Sequence, residues 1–291
     1  MKEIQNEHFS GERSLYQANA LKISGTSFGY GESALKRSSY ISLSDSTFSS
    51  KFPLWHSEMV KLKNCVLTED ARAAIWYSKE VGADDIIVEA PKCFRRCSNL
   101  SLKNVCFPNG DEVLWKCGNV RLDRVKVNGD YFAMDCDTME ISGLMLEGGY
   151  AFDGVRNVTM RDSVINCRDA FWNSENIVIY NSTINGKCFG WNSRNVTLVN
   201  CTIESREGMC YIENLVMKNC KLPNTSFAFE YSTVNAEIIG NIDSVRNPLS
   251  GMIKADSIGV VILEQDKVDP LRTKIICEKH IAEQRIENAI H

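Results

Sequence analysis

Apolar and polar residues alternate along this chain in short bursts, and the bursts recur. In NVTMRDSVI, which begins at Asn157, Val158 and Met160 are apolar while Thr159 and Arg161 are polar. A period of two marks a β-strand with one buried face, because successive side chains point to opposite sides. The 3.6-residue spacing of an amphipathic helix is missing from these segments. The same pattern returns as NIVIYNSTI from Asn176, NVTLVNCTI from Asn195 and NLVMKNCKL from Asn214, each starting 19 residues after the last. Earlier copies are ALKISGTSF from Ala20, YISLSDSTF from Tyr40, MVKLKNCVL from Met59, NLSLKNVCF from Asn99 and NVRLDRVKV from Asn119. TMEISGLML from Thr138 and a degenerate copy around Ile86 and Val88 fill the gaps.

A unit this short, without a helix, cannot bury its own apolar face and must stack on its neighbours. The pattern therefore predicts an all-β, single-stranded parallel β-helix of about 12 coils, each of 19–21 residues. Stacking puts Phe28, Phe48, Leu67, Phe107, Val127, Leu146, Ile165, Ile184, Ile203 and Leu222 in one inward column. The inward column beside it contains Ser163 and Ser182, whose hydroxyls need buried partners. Two polar columns, Asn157 to Asn214 and Asp162 to Asn219, suit bends, because Asn and Asp tolerate left-handed backbone and stacked amides can bond one another. The chain reads as one domain. Residues 1–18 are expected as an N-terminal cap, 19–242 as regular coils, and 243–291 as a last strand near 257–263 followed by a cap or tail. Ile281, Ile286 and Ile290 among charges suggest a short amphipathic helix, an end cap or a dimer contact there.

A second repeated segment precedes the Asn column: LWHSE, IWYSK, FRRCS, LWKCG, AMDCD, FDGVR, FWNSE, GWNSR, MCYIE, AFEYS. Its first position is apolar and expected inside, from Leu54 to Ala228, with Gly190 the weakest copy. Its second holds Trp55, Trp76, Arg95, Trp115, Met134, Asp153, Trp172, Trp191, Cys210 and Phe229, which includes all five tryptophans. Beside it run His56, Tyr77, Arg96, Lys116, Asp135, Asn173, Asn192, Tyr211 and Glu230. Three readings stay open: a ligand groove in which sugar rings stack on indoles, a subunit interface, or indoles buried at the strand bend. For the groove, Trp55, Trp76, Arg95, Arg96, Trp115, Trp172, Trp191, Tyr211 and Glu230 are the candidate ligand-binding residues.

Composition narrows the chemistry. The net charge of −4 offers no basic field for nucleic acid. No apolar run reaches the ~20 residues of a membrane span, and the start MKEIQNEHFSGERSLY lacks a signal-peptide core, so a soluble cytoplasmic protein is expected. The twelve cysteines run from Cys65 to Cys277 largely in phase with the repeat and read as small buried residues in a reducing compartment. Cys93 and Cys97 alone do not make a zinc site, and the four histidines are scattered, so no metal and no cofactor are expected. Gly25-Thr-Ser27-Phe-Gly29 matches a nucleophile elbow but sits in a β-coil with no following helix. Asp84, Asp85 and Asp169 read as turn residues. Asp135 and Asp153, on adjacent coils beside the stripe, are the one candidate pair for acid/base work of the polysaccharide lyase or glycoside hydrolase kind. Whether the chain is an enzyme stays open. A saccharide and a second copy of the chain are the expected partners.

The segments NEHFSGERSLY, GESALK, PLWHS, ARAAIWYS, APKCFRRC, GDYFAM, DAFWNS, GMCYIENLVMKNC, FAFEYSTV and IKADSIG together resemble the DUF3737 family over nearly the whole chain. The resemblance implies a pectin-lyase-like, right-handed β-helix in a bacterial protein. It brings no activity, cofactor or catalytic residue. The Asp-Asp, Gly-His-Gly and Arg-Ile-Lys motifs of polygalacturonases are missing from this sequence, so the fold alone does not imply that activity.

Overall fold

The computed structural model describes residues 2–287, so Ile290 lies outside the described residues. The chain is an all-β, right-handed parallel β-solenoid of about 15 turns. Two compact units, Met1–Gly148 and Gly149–His291, are distinguishable and are described in turn.

In the first unit a coil carries a strand, six residues long from Asn19 onward, then a left-handed corner and a short strand. Asn19–Ser24 with Ser27–Phe28 is one such coil, and Ser39–Ser44 with Thr47–Phe48 is the next. Register is strict: Leu21 pairs with Ile41 and Ile23 with Leu43, so the inward apolar residues of these coils meet at the same height. The segment expected as a cap is itself largely a coil. Ile4 pairs with Ile23 and Phe9 with Phe28. This accounts for part of the difference between about a dozen coils and about 15 turns.

In the second unit the short strands lengthen to seven residues, as in Val164–Ala170 and Thr183–Phe189. Asp169 therefore lies inside a strand, buried and paired with Arg168 at 2.7 Å, where a turn was expected. The end of the chain also differs from expectation. Residues 257–263 fall within Ser250–Glu264, and a further strand follows, Thr273–Glu287. Of the three readings of the tail, the helix does not form: the segment is a strand because Ile253 finds Ile275 and Ile258 finds Ile281 in register, and pairing on an existing edge outweighs local helix preference.

The inward columns are buried as expected. Phe28 and Phe48 stack at 4.5 Å, and Phe152 and Phe171 at 4.6 Å. Each such ring removed from water contributes roughly 1.5–3 kcal/mol. Ser163 Oγ donates to the Arg161 carbonyl at 2.8 Å and Ser182 Oγ to that of Tyr180 at 2.7 Å, which meets the demand of the buried hydroxyls. All twelve cysteines are free thiols, and all but Cys106 and Cys277 are buried.

The corners explain the Asn columns. Asn157, Asn176, Asn195 and Asn214 have φ of 56, 58, 54 and 61°, in the left-handed region that Asn tolerates best among residues with a Cβ. Their amides bond coil to coil at 2.9–3.0 Å. Asp162, Asn181, Asn200 and Asn219 form a second ladder, at 2.7–3.2 Å.

Candidate functional site

The stripe is built by another left-handed corner. In one coil after another, a stripe residue is followed by a corner residue and then by a buried residue, most often Ser or Cys. His56 has φ of 56° and Asn173 of 52°. The buried hydroxyl or thiol pins the corner from inside: Ser57 Oγ donates to the Leu35 carbonyl at 3.0 Å, Cys117 Sγ to that of Phe94 at 3.1 Å, and Ser193 Oγ to that of Phe171 at 2.6 Å. With the corner fixed, the residue before it is held against the surface of the coil. All five tryptophans are half-buried there.

In the first unit the tryptophans face one another. Trp55 and Trp76 stack at 5.1 Å and 6°. The Arg95 guanidinium lies over Trp76 at 4.7 Å and over Trp115 at 4.6 Å. Lys36 Nζ covers Trp55 at 5.4 Å. The indole N–H groups of Trp55 and Trp76 donate inward, to the carbonyls of Ala73 and Lys92, each at 2.6 Å. Glu112 binds Arg95 at 2.7 Å and Lys92 at 2.8 Å, and those two cations hold its carboxyl below the usual range despite its partial burial. Indole faces here are occupied by protein. Arg96 stands in the exposed corner column beside Arg95.

The second unit arranges the same columns differently. Trp172 and Trp191 are 6.1 Å apart and tilted by 36°. The buried Nε1 of Trp172 has no hydrogen-bond partner. Trp191 leans on Tyr211 at 4.6 Å, and Tyr211 on Tyr231 at 5.2 Å. Beside these rings lies a groove of about 670 Å³ whose lining includes Tyr211, Tyr231, Asn173, Asn192, Arg194 and Glu175. Asn192 donates to Asn173 and Asn173 to Asp153, each at 2.8 Å, which orients the amides. Arg194 binds Glu175 at 2.7 Å, and this bond lowers the Glu175 pKa and raises that of Arg194. Partial burial, then the charge of Glu230, push the Tyr211 hydroxyl up, so it remains a neutral donor. The groove thus combines two tilted phenol rings with fixed amides and a charged pair.

The sequence register slips by one residue at the last copy. The Tyr211 amide bonds the Glu230 carbonyl, so Glu230 stands in the tryptophan column and Tyr231 beside Tyr211. Phe229, expected on the stripe, is fully buried. Glu230 is held by Arg246 at 3.3 Å. The signal for the correct register was Ser232, whose Oγ donates to the Met209 carbonyl as Ser193 does to that of Phe171. Tyr231, Arg194 and Glu175 were missed. The two charged residues read only as the outward face of a strand, and Tyr231 was hidden by the slip.

The candidate acid/base pair divides between the units. Asp135 belongs to the first and is 3.7 Å from Lys116. Asp153 belongs to the second and accepts from Asn173. Among the described residues no helix is long and apolar enough to cross a membrane.

Residues 2–276 match the family model described as protein of unknown function (DUF3737). No curated protein sequence matches the chain. Similar solved structures include the surface adhesin PfbA of Streptococcus pneumoniae, with 11% identity over 93% of this chain and 71% of that one and a TM-score of 0.31. A tailspike mutant of E. coli bacteriophage HK620, in complex with a pentasaccharide, shares 9% identity over 90% of this chain and 65% of that one, at 0.31. The A-module of the Azotobacter vinelandii mannuronan C-5 epimerase AlgE4 shares 10% over 99% and 90%, at 0.37. Likeness at this level says nothing about function.

Proposed function

We propose that this chain, which belongs to the DUF3737 family, is a saccharide-binding β-helix whose ligand lies in the groove of the second unit. The observation that carries the reading is the Tyr211–Tyr231 pair tilted over that groove, with Asn173 and Asn192 beside it. Sugar rings present C–H faces that pack on aromatic rings and hydroxyls that both donate and accept, and such sites pair a few aromatic groups with convergent polar ones. Side-chain amides offer both functions, and the ladder fixes which atom faces out. The Arg194–Glu175 pair adds a donor fork and an acceptor at the edge. Trp172 and Trp191 act as the wall behind Tyr211, and Trp191 reports on occupancy because it touches that ring.

The test is a titration of the full chain with cello-, malto-, xylo- and galacturono-oligosaccharides, read by tryptophan fluorescence. The expected result is a saturable change that Tyr211→Ala and Tyr231→Ala each weaken by about tenfold or more, the worth of one good aromatic contact. A flat response across the panel, or a response untouched by both substitutions, would overturn the reading.

A further inference from the structure

We propose that the first unit carries a second face, shaped for a carboxylate-bearing glycan chain and formed by the corner column Arg37, His56, Tyr77, Arg96 and Lys116. The inference rests on the saccharide reading for the class of ligand, while its residues lie wholly apart from the groove.

Five successive corners put these side chains in line. Each has a left-handed φ, from 52 to 61°. Each corner amide bonds the stripe carbonyl of the next coil, at 2.8 Å for Arg37 and 2.9 Å for the other four. The column therefore climbs by one coil, about 4.8 Å, per residue. All five side chains are exposed. Lys116 has a partner in Asp135 at 3.7 Å. Among the described residues, no carboxylate lies within ion-pair distance of Arg37 or Arg96. Burial, then the charges of Lys36 and Arg37, lower the His56 pKa, so the positive field is felt within the column itself.

Guanidinium groups bind planar carboxylates through two parallel hydrogen bonds. Arg37 and Arg96 stand three coils apart, about 14 Å of rise. A small anion cannot span that distance, whereas a chain with repeated carboxylates can. Between them His56 and Tyr77 stack at 4.9 Å and 8°, offering a ring nitrogen and a hydroxyl. Arg95, just behind, is neutralised by Glu112 and locked between indoles, so it does not compete for the ligand. Nucleic acid fits this face less well. Single strands bind by stacking bases on open aromatic faces, and here Trp76 lies between Trp55 and Arg95.

The experiment is calorimetry of the full chain with a galacturonate oligomer, a neutral oligosaccharide of equal length and a single-stranded oligodeoxynucleotide. Wild type, the Arg37→Gln/Arg96→Gln double variant and Tyr211→Ala are compared, each checked for unchanged thermal unfolding. Losing two charge-assisted contacts should weaken the galacturonate oligomer by about tenfold or more, with added salt weakening wild-type binding in the same direction. Tyr211→Ala should leave the residual uronate binding of this face intact. Uronate binding that the double variant leaves unchanged overturns the inference, and so does oligodeoxynucleotide binding tighter than the uronate. If only the neutral sugar binds, and needs Tyr211, the groove stands and this face falls. If only the uronate binds, and needs Arg37 and Arg96, this face stands and the groove falls. If no sugar binds, both fall.

Discussion

The same two columns run through both units and are used in opposite ways. In the first unit the stripe and its corners read Tyr16-Gln17, Lys36-Arg37, Trp55-His56, Trp76-Tyr77, Arg95-Arg96, Trp115-Lys116 and Met134-Asp135. In the second they read Asp153-Gly154, Trp172-Asn173, Trp191-Asn192, Cys210-Tyr211 and Glu230-Tyr231, without one Lys or Arg. In the first unit Trp55 and Trp76 stack directly, and the Arg95 guanidinium continues the pile from Trp76 to Trp115. In the second the rings tilt against one another, at 36–46°, and a groove lies beside them. Parallel indoles covered by Lys36 and Arg95 make the first stripe internal packing, whereas tilted rings without such a cover border the groove of the second.

The sharpest way to break this comparison is to remove that cover. Arg95→Leu deletes two cation–π contacts and leaves Glu112, a partly buried carboxylate, with Lys92 alone. The expected cost is about 2–4 kcal/mol, read by urea unfolding of the full chain. Tyr211→Ala, a cut in the open stripe, should cost about 1 kcal/mol or less. Equal losses would mean that the stack is no more structural than the groove.

A second contrast lies just inside the corners, where Cys97, Cys117 and Cys136 take the place that Ser57, Ser78, Ser174 and Ser193 hold in other coils. Ser193 Oγ serves two buried backbone groups, the Phe171 carbonyl at 2.6 Å and the Ser174 amide at 3.0 Å. Ser193→Ala should therefore cost about 1–3 kcal/mol in the same assay. Cys117→Ser should change stability by only about 0.5 kcal/mol, because the hydroxyl inherits both the bond to Phe94 and the one from the Cys97 side of the ladder, where serine already serves in Ser57 and Ser78. A large loss in Cys117→Ser would show that sulfur volume, and not the donor, holds that corner.

These contrasts also show what the sequence could carry. A column in a stacked solenoid is a one-dimensional fact, so the Phe28 and Ile165 core, the Asn157 ladder and the inward serines were legible from a 19-residue offset. Whether indoles at successive rungs meet face to face or tilted depends on where each N–H finds a carbonyl, as Trp55 does at Ala73. Those are three-dimensional facts, and the three readings of the stripe could not be separated without them. The slip at Phe229 had a different cause. An apolar residue fits an inward or a stripe position equally well by composition, and only the buried hydroxyl of Ser232 distinguishes them. The tail stayed open among a helix, an end cap and a dimer contact because the partner that makes Ile281 and Ile286 part of a strand, Ser250–Glu264, is a neighbouring coil and not a local signal.

The smallest expected effect probes the charge difference directly. His56 is the one histidine in either stripe, and it sits in the basic half. Burial and the charges of Lys36 and Arg37 favour its neutral form, so its folded pKa lies below the ordinary 6.5. The unfolded chain takes up its proton first as pH falls. Folding stability is therefore unaffected by His56 above pH 6.5 and declines as pH drops from there through the lower folded value. His56→Gln should remove that slope. In an NMR titration the wild-type imidazole should protonate below 6.5, and Arg37→Gln, which takes away one cation and leaves the ring in place, should move its midpoint upward. A midpoint that does not move in Arg37→Gln, nor in Lys36→Gln, would mean that burial alone sets it. The first unit would then lack the concentrated positive field that separates its stripe from that of the second.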